Sequence, residues 1–227
     1  IWATVGGNSG NVNGDPTIVG SADLTYKAGS LAAGVDYQVD PDTLMGLAVG
    51  GAAGSFSVPD RETSGNMVGG HLGAYGAKKW GQFYANGALA LDIYDNSTRR
   101  QATVPGSDAP LNPVPGFSER WEGDFLSGGF SARAETGWRQ PVAGLGAVTG
   151  FAGLQFASLT MQGFQETSPN GDVLGLDYDR RTITSLPSML GLQFDTTMGL
   201  GENTTIQPWA RAAWQHEFNP DRSVNPS

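Results

Sequence analysis

The sequence has no cysteine, only two histidines, and fewer cations than anions. Without cysteine there are no disulfides, and His71 and His216, far apart and without thiolate help, do not suggest a zinc site. Thirteen Lys and Arg against 22 Asp and Glu give a net charge of -9, so no basic stripe exists to neutralise phosphates and nucleic-acid binding is excluded. No run of about eighteen apolar residues occurs, which excludes a transmembrane helix. Ile1-Trp2 begins without a charged n-region or apolar h-region, so no signal peptide is read. There is no Gly-x-Ser-x-Gly elbow, the signature of an α/β-hydrolase serine nucleophile. Long helices are disfavoured, because glycine is the commonest residue, at 34, and costs about 1 kcal/mol per helix position relative to alanine. If the chain spans a membrane, a closed β-barrel is the remaining way to pair every backbone group.

What is present fits that option. From Gly29 to Phe56 (GSLAAGVDYQVDPDTLMGLAVGGAAGSF), Leu31, Ala33, Val35, Tyr37 and Val39 alternate with Ala32, Gly34, Asp36 and Gln38. That is a strand with one apolar face. Asp40-Pro41-Asp42-Thr43 carries turn residues, and Met45, Leu47 and Val49 then alternate with Gly46, Ala48 and Gly50. The second face holds small residues and a carboxylate where a solvated sheet would hold lysine, glutamate and threonine. An apolar outside and a small, polar inside is the pattern of a barrel in lipid.

Along the chain, Ile1–Val5 is expected as a short first strand and Gly6–Thr17 as a polar loop. Further strands are expected over Met67–Trp80, Phe83–Tyr94, Asp124–Trp138, Ala147–Leu159, Arg180–Phe194 and Thr204–Phe218. The clearest alternation sets Leu89, Leu91 and Ile93 against Ala88, Ala90, Asp92 and Tyr94. In Asp124–Trp138, Leu126, Phe130 and Trp138 oppose Ser131, Arg133, Glu135 and Gly137. In the last strand Ala210, Ala212, Trp214 and Phe218 oppose Gln207, Arg211, Gln215 and Glu217. The predicted lumen-facing polar set is therefore Asp36, Asp92, Arg133, Glu135, Arg211 and Glu217. Pro187 falls inside a strand, where it cannot donate to the ladder, so a bulge or break is expected over Leu186–Ser188.

The connections alternate in length. Short ones are read near Asp40, Gly81, Gly144 and Gly199, and long ones near Gly10, Asp60, Pro110, Gly171 and beyond Phe218. The longest is expected over Asn96–Glu122. Short turns at one end and long loops at the other mark an outer-membrane barrel. Tyr37, Trp80, Phe83 and Trp138 would flank the short turns and Phe56, Tyr94, Phe125 and Phe218 the long loops, as two aromatic girdles. Arg99, Arg100, Arg120, Arg180 and Arg181 lie in or beside the long loops, either as solvated charges or as contacts to lipopolysaccharide phosphates. Gly144–Gly150 resembles a phosphate loop only superficially, since no helix follows. Asp36, Asp40 and Asp42 lack the spacing and closing glutamate of a calcium loop.

Five stretches, in order, resemble one family: Ile1-Trp2 with its Gly-rich sequel, GSLAAGVDYQVDPDTLMGLAVGG (Gly29 to Gly51), GHLGAYG (Gly70 to Gly76), SARAETGW (Ser131 to Trp138) and PWARAAWQHEF (Pro208 to Phe218). They are similar to the autotransporter β-domain, the translocator of type V secretion. The resemblance implies one all-β domain over 1–227, an antiparallel up-and-down barrel of about twelve strands in which about nine are read here, an even number being usual. On that parity the chain is expected to lack its final strands, since it ends Asn225-Pro226-Ser227 without a terminal aromatic. The resemblance further implies a Gram-negative outer membrane, lipid and lipopolysaccharide around the wall, and the barrel assembly machinery as partner. It implies a secreted passenger with a linker helix through the lumen, neither in this sequence, and no cofactor, metal or catalytic residue. Two other readings stay open at this point: a passive porin or structural barrel without passenger, and a soluble β-sandwich binding module.

Overall fold

A computed structural model describes residues 1–15, 20–106, 115–169, 174–199 and 204–219. Pro110 and Pro113, the loop centre at Gly171, the turn tip at 200–203 and the terminal Asn225-Pro226-Ser227 lie outside the described residues. The strands are β1 (Trp2–Val12), β2 (Leu24–Asp40), β3 (Thr43–Val58), β4 (Thr63–Trp80), β5 (Phe83–Val104), β6 (Phe117–Val142) and β7 (Gly146–Met161). Then come β8 (Phe164–Gln165), β9 (Asp177–Tyr178), β10 (Arg181–Ser185), β11 (Pro187–Asp195), β12 (Met198–Gly199), β13 (Thr205–Ile206) and β14 (Trp209–Glu217). One antiparallel sheet runs β1-β2-β3-β4-β5-β6-β7-β11-β14, with β10 also on β7. β10 and β11 occupy one strand position in one continuous register, so the sheet has nine positions.

Tight turns join the strands at one end. Asp42 N–H donates to Asp40 Oδ1 (2.8 Å), so this aspartate closes its own turn. Gly81 and Gly144 adopt φ of 62° and 73°, which an L side chain would strain.

The two faces differ as the alternation predicts. On β5 the outward residues are Phe83, Ala85, Gly87, Leu89, Leu91 and Ile93, followed by Asp95, Ser97 and Arg99. The switch from apolar to charged marks the end of the outward apolar band. Ten residues of tilted strand lie between Phe83 and Ile93, which is a height of about 25 Å. Leu47, Leu72, Leu91 and Leu192 on this face are 60, 59, 60 and 61% exposed. In water such a band would aggregate; in lipid it is the stabilising surface. Tyr37, Trp80, Phe83 and Trp138 stand outward beside the tight turns, with the Phe83 and Trp138 rings stacked at 6.1 Å.

The inward face is concave. Glu135 on β6 touches Arg211 on β14 across two intervening strands, and Trp2 on β1 likewise touches Tyr75 on β4. Side chains so separated meet only if the sheet curls towards them. Glycine permits this on the crowded side. A Cβ on Gly34 would lie 2.6 Å from the Trp2 ring, and a Cβ on Gly46 would collide with Tyr75. Among the described residues only Trp121, Ala147 and Phe151 are buried hydrophobics, so no conventional core exists.

Several expectations need correction. Gly6–Val12 is strand, paired with Leu24–Ser30, and not loop. Asn96–Val104 pairs with Phe117–Phe125, so much of the expected long connection is a ribbon standing above the lipid band. Both faces are wet there, so no apolar alternation announces it. The connection at Asp60 is short, a single 3-10 turn over Pro59–Arg61. Phe56, Tyr94 and Phe125 face inward and do not form an upper girdle; register carries them to the concave side. Arg100 also points inward, while Arg99 points out. At Leu186 the ladder is interrupted between β10 and β11, as the proline requires.

Candidate functional site

The concave face changes character along the barrel axis. Around mid-height β3, β4 and β5 present Ala48, Gly50, Gly73, Ala88 and Ala90, which leave the interior wide. Nearer the tight turns lies a polar girdle. One register row runs Asp36, Gly46, Tyr75, Ala88, Arg133, Gln155 across β2 to β7, placing an acid on one flank and a base on the other.

Glu135 is the centre of the basic flank. It is 6% exposed, and its Oε2 accepts from Arg211 Nη2 (2.5 Å) and Arg133 Nη2 (3.0 Å). Its Oε1 accepts from Tyr84 OH (2.9 Å). The Arg211 guanidinium also sits over the Phe151 ring, 3.6 Å from its centroid. A buried carboxylate is tolerable only with this many donors. Two guanidiniums on one carboxylate leave the cluster cationic. On the acidic flank, Tyr75 OH donates to Asp36 and accepts from Trp2 Nε1 (2.6 Å).

Asp92 and Glu217 do not join these clusters. Asp92 accepts from Tyr94 OH at 3.3 Å, higher on β5. Glu217 serves the break beside Pro187: its Oε1 accepts from Leu186 N–H (2.7 Å) and its Oε2 from Ser185 OH (2.5 Å). Tyr84, Tyr75, Trp2 and Phe151 are the participants that sequence reading missed. Tyr84 was already on the inner parity of β5; Tyr75 was hidden because glycine and alanine occupy both faces of its strand.

A second ion pair lies above the lipid band. Arg100 Nη2 is 2.5 Å from Glu166 Oε2, with Glu166 4% exposed, and donates to Leu174 O (2.9 Å). Its guanidinium lies 4.4 Å from the ring centroid of the fully buried Trp121. Glu122 and Thr167 exchange backbone bonds of 2.9 and 2.8 Å. The rings of Phe125, Phe164 and Tyr178 stack at 4.4 and 4.6 Å. Burial raises the Tyr178 phenol above its ordinary range, and the bond to Glu166 raises the Arg100 guanidinium. Together these contacts fix the β8–β9 hairpin against the inner wall. His71 and His216 lie on opposite faces of the sheet and share no site.

The sequence matches the autotransporter β-domain family over residues 1–225. The fold is similar to the translocator domain of the autotransporter NalP from Neisseria meningitidis, with a TM-score of 0.74 at 19% identity, covering 99% of this chain and 71% of that one. It is also similar to the β-domain of the Bordetella autotransporter BrkA, with a TM-score of 0.60 at 21% identity, covering 96% of this chain and 78% of that one. At these identities the structural likeness speaks for the fold, and the family match speaks for kinship. The chain belongs to the autotransporter β-domain family, outer-membrane barrels of type V secretion.

Proposed function

We propose that this chain forms the wall of a translocator that anchors and exports an N-terminal passenger, with no chemistry of its own. The observation that carries this reading is the concave face. A barrel filled by its own side chains would show a packed interior. Here the described sheet is an open, curled half-barrel whose inward mid-height face across β3, β4 and β5 is mostly glycine and alanine, with His71 among them. That leaves room for a polypeptide. The split girdle, Asp36 with Tyr75 on one flank and Arg133 with Arg211 on the other, offers opposite charges to a linker helix held in the lumen. Lipid and lipopolysaccharide would surround the outer band, and insertion would use the barrel assembly machinery.

The test is surface exposure of the passenger in cells producing the whole reading frame, followed by protease digestion of intact cells. The expected result is a passenger that is digested from outside while the barrel is protected. Arg133→Glu should slow exposure without removing the barrel from the membrane. A passenger that stays inside although the barrel is folded would reject the translocator reading and leave a passive or structural barrel.

A further inference from the structure

The tight-turn end of the concave face holds a hollow of about 530 Å³. Its walls come from both sides of the curl. Lys79 of β4 and Tyr84 of β5 stand on one side, Gln193 and Asp195 of β11 and Trp209 of β14 on the other, with Arg139 of β6 between. Gly81, Gln82 and Phe83 from the β4–β5 turn complete the lining, with Thr196, Thr197 and Gln207 beside β12 and β13. The size is that of a small-molecule site, commonly about 300–1,000 Å³.

Several of these polar groups are spent. Arg139 Nη2 lies 2.5 Å from Asp195 Oδ2, and Tyr84 OH donates to Glu135. Gln82 Oε1 accepts from Trp138 Nε1 (2.8 Å), and Gln207 Nε2 donates to Thr197 Oγ1 (3.5 Å). The side chains of Lys79, Gln193 and Trp209 have no partner among the described residues, and these three set the chemistry of an occupant. An amide both donates and accepts, so Gln193 matches another amide. Trp209 is 68% exposed on the inward parity of β14, and the electron-rich face of an indole receives a flat row of C–H bonds. Arg139 and Asp195 cancel, which leaves the exposed Lys79 as an unbalanced cation and calls for an anion. A ring with a C–H face, an acetamido arm and a carboxylate close by is an N-acetylated sugar bearing an acidic peptide. The short turns of an outer-membrane barrel face the periplasm. The polymer on that side, peptidoglycan, is built of acetamido sugars with acidic stem peptides.

We infer that the turn-end hollow docks the glycan strand of peptidoglycan, with a sugar ring on Trp209, its N-acetyl group at Gln193 and a stem-peptide carboxylate at Lys79. This stands apart from passenger export and survives if that reading fails. One such contact is weak, and many barrels on one polymer gain from avidity.

The experiment sediments the whole reading-frame product, in detergent, with purified peptidoglycan sacculi. The protein is expected in the pellet, and soluble disaccharide-tetrapeptide, cut from sacculi by a muramidase, should return it to the supernatant. Trp209→Ala should weaken binding about two- to tenfold. Lys79→Gln should weaken it about two- to five-fold, a difference that fades in about 0.5 M salt. Trp80→Ala, on the outward face at the same end, should bind as the unaltered protein does. Each variant must keep its heat-dependent gel shift. If Trp209→Ala does not fold, Gln193→Ala takes its place, with a loss of about two- to tenfold expected. Protein that stays in the supernatant overturns the site. So does binding that Trp209→Ala, or Gln193→Ala in its place, and Lys79→Gln leave unchanged, even where another part of the product holds the polymer. Release by the free stem peptide as readily as by the disaccharide-peptide overturns it in favour of a peptide site.

Discussion

Arg211 Nη2 and Glu135 Oε2 lie 2.5 Å apart although β7 and β11 separate their strands. The contact spans the curl of the sheet, so it reports curvature as well as charge pairing. Glu135→Gln should remove the negative charge that holds Arg133 and Arg211 together. Breaking a buried pair costs about 3–5 kcal/mol, and a wet lumen reduces that to about 1–3 kcal/mol here. Urea titrations in detergent would measure it. Because the two arginines share one carboxylate, Glu135→Gln with Arg211→Gln should cost less than the sum of the single changes. Strict additivity would show that the pair does not brace the sheet.

The two faces make a sharper forecast. Leu47 and Leu89 stand outward, while Ala48 and Ala90 face the lumen side. Arginine at Leu47 or Leu89 should destabilise the folded barrel by about 2–4 kcal/mol near midplane, and arginine at Ala48 much less. Unfolding in a bilayer would resolve the difference. Equal penalties at Leu47 and Ala48 would contradict the assignment of faces.

The period-two pattern made the lipid band and its inward charges legible from the sequence. Asp36, Arg133, Glu135 and Arg211 followed from parity alone, because one face must be apolar where lipid touches it. Beyond the band that constraint lapses. Gly6–Val12 and Asn96–Val104 are wet on both faces, so their strands left no alternation to read. Phe56 shows a different failure. It has the parity of Gly46 and Ala48, which points inward, and the expectation of an upper girdle overrode it. Which charges meet across two strands depends on curl, and nothing local in the sequence encodes that.

Gly46 tests the close packing that the curl demands. The Tyr75 ring occupies the space where its Cβ would stand, whereas a Cβ on Gly76 would find its nearest atom at 3.5 Å. Gly46→Ala should cost about 1–3 kcal/mol through overpacking, and Gly76→Ala close to nothing. Combining Gly46→Ala with Tyr75→Ala should recover part of the loss. Thermal or urea unfolding of the three variants would check this, and similar costs at both glycines would rule out the ring contact as the cause.

At the strand break, Glu217 accepts from the Leu186 amide that the ladder leaves free beside Pro187. Glu217→Ala should expose that amide and speed hydrogen exchange over Thr184–Ser188, with the rest of β11 unchanged. Glu217→Gln keeps an acceptor oxygen and should restore most of the protection. Protection that is equal in all three proteins would mean that water serves the amide as well as the carboxylate does.

Arg100 separates the stability of the hairpin from that of the barrel. Its removal would leave Glu166, 4% exposed, with the Leu176 amide (3.1 Å) donating to its carboxylate and no guanidinium beside it. Losing one partner of a buried pair costs about 3–5 kcal/mol, but that cost falls on the β8–β9 hairpin, above the lipid band. Local release is therefore cheaper than global unfolding. Arg100→Ala should open the chain to protease between Phe164 and Tyr178 while the barrel keeps its heat-dependent gel shift. Arg100→Lys keeps the charge but loses the forked geometry and the Trp121 stack, so cleavage should be intermediate. If Arg100→Ala left the hairpin as resistant as before, the stacked rings of Phe125, Phe164 and Tyr178 would be its true fastening.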